Sequence, residues 1–185
     1  MKTRLNDPAA DLRSRFLRAV DMPRMLVKQQ VASVRDAGSE DARLRCLGQL
    51  LGKLAIECLY PNGPEIKCVL QRMFSFTVMW RARLEGGRYA PSNPLGDLLE
   101  PVFDERLRQA VLRRKHPSRY LFDMAHPTPD VNRKFRVVFE ECGEVAKEAD
   151  KLEVCSPGAR LRLRNELNHV SAVCAAWLEA YEVQS

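Results

Sequence analysis

The sequence predicts an all-α protein, on three observations. Apolar residues recur at steps of three and four along most of the 185-residue chain, the period of a helix that buries one face. No segment alternates strictly between apolar and polar residues, as a half-buried strand does. Pro and Gly gather in short stretches at 60–64, 86–97, 116–130 and 155–158, and these divide the chain into helix-length blocks.

Leu12, Phe16 and Val20, then Leu26, Val27, Val31 and Val34, predict one or two helices with a break at Pro23. Ala42 to Leu59 reads as a helix stopped by Tyr60-Pro61-Asn62-Gly63-Pro64. Glu65 to Leu84 is the next, with Ile66, Val69, Leu70, Met73, Phe74, Val78 and Trp80 on its apolar face. Gly86-Gly87 ends it, and Tyr89 to Asp97, with Pro91 and Pro94, reads as a loop. Leu98 to Lys115 is helical again, interrupted or started near Pro101, and His116 to Asp130 is a second Pro-containing loop. A long helix is expected from Val131 to Val154, its stripe formed by Phe135, Val138, Phe139, Cys142, Val145, Ala146, Ala149 and Leu152. Cys155-Ser156-Pro157-Gly158 turns the chain into a last helix from Ala159 to Tyr181, with Leu163, Leu167, Val170, Cys174, Trp177, Leu178 and Tyr181 inward. Two long helices on so short a link pack antiparallel. The chain accordingly divides into an N-terminal helical region, residues 1–97, and a C-terminal helical module, residues 98–185.

With 45% hydrophobic and 29% charged residues the chain can bury a core and is not of disordered composition. It has no apolar run of membrane-spanning length, and Met1 to Pro8 turns polar at once, so a soluble cytoplasmic protein without a secretory signal is expected. The six cysteines, Cys46, Cys58, Cys68, Cys142, Cys155 and Cys174, include no Cys-x-x-Cys pair and sit among apolar neighbours. They read as reduced core residues and not as a disulfide framework or zinc site. Residues 1–100 hold 16 Lys and Arg against 11 Asp and Glu, and so carry +5 of the net +6. That balance admits a nucleotide or nucleic-acid partner without requiring one. P-loop, dinucleotide-binding and nucleophile-elbow signatures are absent.

The residues that can carry chemistry lie on the last two helices. Glu141 and Glu144 are three apart and share a helix surface, and Glu166 and His169 repeat the spacing on the partner. Antiparallel packing can bring the pairs together on one or two divalent cations, and a carboxylate-rich set suits Mg²⁺ or Mn²⁺ with substrate phosphates. The plainer reading of such acids is a solvated helix face favoured by the macrodipole. Helix geometry puts Glu141 on the flank of the apolar stripe and Glu144 roughly opposite it.

Glu140-Glu141-Cys142-Gly143-Glu144-Val145-Ala146, followed by Arg164-Asn165-Glu166-Leu167-Asn168-His169-Val170-Ser171-Ala172-Val173 and Ala176-Trp177-Leu178-Glu179, resembles the MazG-like nucleotide pyrophosphohydrolases. Asp104-Glu105-Arg106-Leu107-Arg108-Gln109 is similar to the Glu-Arg-x-Arg-Gln helix that opens many phage and bacterial members. The resemblance covers about residues 103–182, with 21 residues between Glu144 and Glu166. It implies an antiparallel helical bundle of that type and a metal-dependent enzyme that splits a nucleoside triphosphate, (d)NTP or a related nucleotide, into the monophosphate and pyrophosphate. The implied metal ligands for Mg²⁺ or Mn²⁺ are Glu141, Glu144, Glu166 and His169. Glu140 or Glu144 is implied as the carboxylate that orients the attacking water. Arg106, Arg133, Lys134, Lys147 and Lys151 are the cations placed to reach phosphate oxygens. His169 stands where the family usually has Asp, and imidazole suits Mn²⁺ or softer ions better than Mg²⁺. The alternative is therefore a catalytically inactive relative that binds nucleotide, nucleic acid or a protein partner.

A faint internal repeat accompanies the resemblance. Gly52-Lys53-Leu54-Ala55 echoes Gly143-Glu144-Val145-Ala146, and each precedes a Pro/Gly turn and a helix with a late Trp, Trp80 or Trp177. In that alignment Gln49, Leu50 and Lys53 stand where Glu140, Glu141 and Glu144 stand later. The N-terminal copy would be a degenerate structural half, which makes either a homo-oligomer or an intrachain pseudo-dimer the expected assembly.

Overall fold

The computed structural model describes residues 8–20, 38–60, 65–85, 95–117, 123–127, 130–154 and 156–182. Among these residues the fold is all-helical, with helices α1 (Pro8–Ala19), α2 (Glu40–Cys58), α3 (Ile66–Leu84), α4 (Leu95–Lys115), α5 (Val131–Glu153) and α6 (Ala159–Glu182) and no strand. None of them is long and apolar enough to cross a membrane. The expected helical stretch around Leu26 to Val34 and the turn residue Cys155 lie outside the described residues.

Local chemistry sets the helix starts. Ser39 caps α2 by accepting from the Ala42 amide at 3.2 Å, and Glu40 and Asp41 occupy the first turn, so the helix begins two residues before the apolar pattern does. Asp130 caps α5 by accepting from the Asn132 amide at 3.0 Å. Gly158, at φ +72, turns the chain into α6, and a Cβ there would meet the Arg162 guanidinium at 3.2 Å. The sequence reading placed α4's start too late. The helix opens at Leu95, so residues 95–97 are helical and not loop, and Pro101 sits inside it. Pro101 falls in the second turn, where it removes one intrahelical hydrogen bond without ending the helix.

α2 and α3 form one hairpin and α5 and α6 another. α3 packs on α6 and α2 on α5, while α1 and α4 lie against α6. One core runs through both sequence regions. α6 is its axis, and every residue from Val170 to Ala180 is buried, so the one-sided stripe read from the sequence is wrapped on all sides. α3 is nearly as enclosed, with Thr77 and Ser171 hydroxyls hydrogen-bonded across the α3–α6 contact at 2.8 Å. Phe139, counted with the α5 stripe, is instead 58% exposed, and Lys134 and Glu148 take inward positions on that helix. Cys142 and Cys174 are buried thiols, Cys46, Cys58 and Cys68 are half-buried, and burial pushes Cys58 up to about 11 and Cys142 to about 12.

The two hairpins match at their buried positions. Arg43, Leu47 and Leu54 on α2 are buried in the same order as Lys134, Val138 and Val145 on α5, and Trp80 and Trp177 are buried late in α3 and α6. Each cation sits beside its own hairpin's Trp environment. Arg43 pairs with Glu40, whose other oxygen accepts from Trp80 Nε1 at 2.6 Å, and Lys134 Nζ lies 5.9 Å from the Trp177 ring centroid.

Three contacts fix α4 against this frame. Arg81, at the end of α3, donates to the Leu98 carbonyl at 2.7 Å. The Phe16 and Phe103 rings meet at 5.5 Å between centroids. Arg106 donates from Nε and Nη2 to Glu179 of α6 at 3.1 and 3.2 Å, with both side chains almost fully buried. With Arg106 turned in, the adjacent Glu105 is carried to the flank of α4, facing His169 of α6.

Candidate metal centre

Glu141 and Glu166-x-x-His169 converge where α5 and α6 run side by side. One ligand atom from each of Glu141, Glu166 and His169 lies within 4.8 Å of the other two. His169 is the hub. Its Nδ1 is 2.8 Å from Glu166 Oε2 and 3.6 Å from Glu141 Oε2, and its Nε2 is 3.8 Å from Glu105 Oε2. Helix spacing explains the inward set. Glu141 is one turn from buried Val145, about 40° round the α5 axis, whereas Glu144 stands about 100° from it, toward solvent. Glu166 and His169 flank buried Leu167 and Val170 on α6.

The electrostatics are those of crowded acids. Burial raises the Glu141 carboxyl above its usual range, the nearby His169 opposes the rise, and Glu166, Glu140 and Glu105 add to it. A bound cation would relieve this repulsion. Cis donors around a six-coordinate ion with bonds of about 2.1 Å stand about 3 Å apart, and the 2.8 and 3.6 Å separations from His169 Nδ1 to Glu166 and Glu141 are close to that spacing. The donor set therefore fits a divalent ion. Beside it opens a pocket of about 500 Å³ bordered by Asp104, Glu105, Arg108, Asn165, Glu166 and His169. It is open to solvent, and its volume lies within the range of small-ligand pockets.

The other residues of the sequence reading fall elsewhere. Glu144 is nearly half exposed and accepts from Lys147 Nζ at 2.9 Å, so it stands outside the three-residue cluster and Lys147 is engaged with it. Glu140 and Arg133 are exposed on α5. Lys151 pairs with buried Glu148, which also accepts from Arg162 Nε at 2.8 Å. Two assignments are corrected. Arg106 is held in its buried pair with Glu179, and Lys134 is buried and donates to the His126 carbonyl at 2.8 Å, so neither reaches the pocket. Both lie on the apolar stripes of their helices, in register with Val102 and Val138, and that register was the readable signal. Glu105, which the acidic spacing does not single out, approaches His169 Nε2 at 3.8 Å without belonging to the three-residue cluster. It comes from a third helix, held by Arg108 Nη2 at 2.7 Å and Gln109 Nε2 at 3.0 Å.

Lys134 gives a stability expectation of its own. Desolvation lowers its ammonium to about 8 against an ordinary 10.5, with Asp123 opposing. The folded chain binds this proton less tightly than the unfolded chain, so the cost of burying it is full below about 8 and gone above about 10.5. Urea unfolding at pH 7.5 and pH 10 should show the parent gaining stability relative to Lys134→Met as pH rises. An unchanged difference between the two proteins would exclude the shift.

No protein-family model, curated protein or solved structure matches the chain.

Proposed function

We propose that the chain is a metal-dependent nucleoside triphosphate pyrophosphohydrolase of the MazG-like type, cleaving a (d)NTP or related nucleotide to the monophosphate and pyrophosphate. The observation that carries this reading is the meeting of Glu141, Glu166 and His169 beside an open pocket. The sequence resemblance over residues 103–182 supports it. Glu141, Glu166 and His169, with Glu105 beside them, hold Mg²⁺ or Mn²⁺. When bound, the ion supplies charge neutralisation at the triphosphate and a water acidified toward neutrality. Glu140, one residue before Glu141 and open to solvent, orients the attacking water as a base. Arg108 at the pocket edge and Lys147 on the rim of α5 draw in the polyphosphate, a role that needs charge and no fixed contact.

The matching buried positions of the two hairpins support the pseudo-dimer arrangement. The α2–α3 half keeps the core, with Leu50 and Lys53 where Glu141 and Glu144 stand in the other half. A second reading, an inactive relative that binds nucleotide or another partner, is favoured by two observations. Glu144 faces Lys147 and not the cluster, and an imidazole replaces the family's Asp.

Pyrophosphate release from a panel of NTPs and dNTPs, with Mg²⁺ and Mn²⁺ in parallel, separates the two. Release that needs the metal and disappears in Glu141→Gln is expected. Silence with every nucleotide and both metals would remove the enzyme reading in favour of the binding protein.

A further inference from the structure

We infer that Arg164 is the residue that grips the polyphosphate end of the ligand, by leaving Glu85 and swinging toward the pocket between α4 and α6. The inference rests on the nucleotide reading above, and supplies the fixed cationic contact that Arg108 and Lys147 do not.

The two walls of the pocket locate the residue. Asn165, which follows Arg164 on α6, and Asn168, one turn on, both border the pocket. On the α4 side Arg81 donates to the Leu98 carbonyl at 2.7 Å, and Leu98 lies one turn before Pro101, which also borders it. Glu85 ties the two sides together, accepting from Arg81 Nη1 at 2.8 Å and from Arg164 Nη2 at 2.7 Å. Arg164 is five residues from His169, about 7.5 Å along the α6 axis, a gap that an extended polyphosphate bridges. Asp104, Glu105 and Glu166 make the pocket walls acidic, so a polyphosphate needs a cation beyond the metal. Arg108 is committed to Glu105 through two hydrogen bonds.

The bonding around Glu85 makes Arg164 the member able to leave. Both arginines donate to one atom, Glu85 Oε1. Arg81 is 2% exposed and anchored a second time on Leu98, so it stays and keeps the carboxylate neutralised. Arg164 is 36% exposed, and its Nε finds no hydrogen-bond partner among the described residues. Its departure leaves no charge unpaired, and half-exposed ion pairs contribute little. It also removes a repulsion. Burial lowers the Arg81 guanidinium, Glu85 opposes the change, and Arg164 adds to it. A phosphate carries more charge than a carboxylate and matches the guanidinium fork, so it displaces a shared oxygen.

The test is binding of inorganic tripolyphosphate to the whole chain by isothermal titration calorimetry, with Mg²⁺ and with Mn²⁺. Arg164→Gln is expected to weaken binding by about tenfold or more. Glu85→Gln should tighten it by about twofold or more, because the competing carboxylate is gone. Arg160 is an exposed cation one turn farther from the pocket, and Arg160→Gln should leave the affinity within about twofold. Arg164→Lys keeps the charge and loses the fork, so it should fall between the parent and Arg164→Gln. Far-ultraviolet circular dichroism confirms that each variant is folded. A tie that serves the fold alone would give Arg164→Gln and Glu85→Gln the same loss of thermal stability and no change in affinity. That result, matching losses of affinity in Arg164→Gln and Glu85→Gln or in Arg164→Gln and Arg160→Gln, or no binding by the parent would each overturn the inference. Nucleotide hydrolysis that Arg164→Gln leaves untouched would sink it with the proposed function standing. Tripolyphosphate held through Arg164 without hydrolysis of any nucleotide would uphold it and move the chain to the binding-protein reading.

Discussion

Arg106→Ala is expected to lower the unfolding free energy by about 3–5 kcal/mol, a large share of what a domain of this size has. Arg106 and Glu179 are 2% and 1% exposed, and the pair bridges α4 to the central helix α6. Truncating the cation leaves a carboxylate inside the core without its counter-charge. Burial already raises the Glu179 carboxyl above its ordinary range, and Arg106 is the main influence holding it down. In the variant the folded chain therefore holds the Glu179 proton more tightly than the unfolded chain. Stability from that proton is present at low pH and lost as pH rises, so the deficit should be smaller at pH 5 than at pH 7. Urea unfolding at both values checks the magnitude and the sign. The pair is not expected to be a large net stabiliser, since Arg106 Nη1 finds no hydrogen-bond partner in its buried position. Arg106→Met combined with Glu179→Met should recover to within about 1 kcal/mol of the parent or exceed it. Equal losses in the single and double variants would show that packing at α4, and not the buried charge, governs the cost.

The same residue shows where reading from sequence works and where it stops. Helix count and type in the described regions follow from apolar spacing, and the boundaries of α3, α5 and α6 agree within a residue or two. α4 began earlier because nothing local distinguishes Leu95-Gly96-Asp97 from the loop before it, and a proline in an early helical turn looks like a stop. Charge alone marks Arg106 and Lys134 as phosphate-binding cations. Their positions on the apolar stripes already pointed inward, and burial of an arginine or lysine stem is compatible with a charged head once a carboxylate or carbonyl receives it.

The centre itself was legible only along single helices. Glu166-x-x-His169 is a local feature, and the turn-apart spacing of Glu141 from Val145 gives its direction, so both could be read without a fold. Glu105 could not. It comes from a helix well separated from α5 in sequence, and its approach depends on Arg81, Phe103 and Arg106 docking α4 in one register. Glu144 lies outside the cluster for the opposite reason. The three-residue spacing that puts it near Glu141 also rotates it away from α6 and toward Lys147.

Glu141→Gln is expected to cut pyrophosphate release at least about a hundredfold while leaving the fold intact, and to melt higher than the parent in chelator. The first effect follows from the loss of a charged donor at a site where each is worth several kcal/mol at the transition state. The second follows from the crowding. Without a cation Glu141 is desolvated beside Glu166 and Glu105, and an amide of the same shape removes the repulsion. Thermal melts with and without Mn²⁺ should therefore cross. The parent starts lower and rises with the ion, whereas Glu141→Gln starts higher and responds little. Glu144→Gln serves as the control on the same helix, because its carboxylate is paired with Lys147 near solvent and such surface pairs contribute about 1 kcal/mol or less. Should Glu144→Gln abolish turnover and Glu141→Gln preserve it, the inward and outward faces of α5 would have to be exchanged in the account of the site. A higher melting point in Glu141→Gln together with lost turnover would identify the acid cluster as a feature that costs the fold stability and is retained for its chemistry.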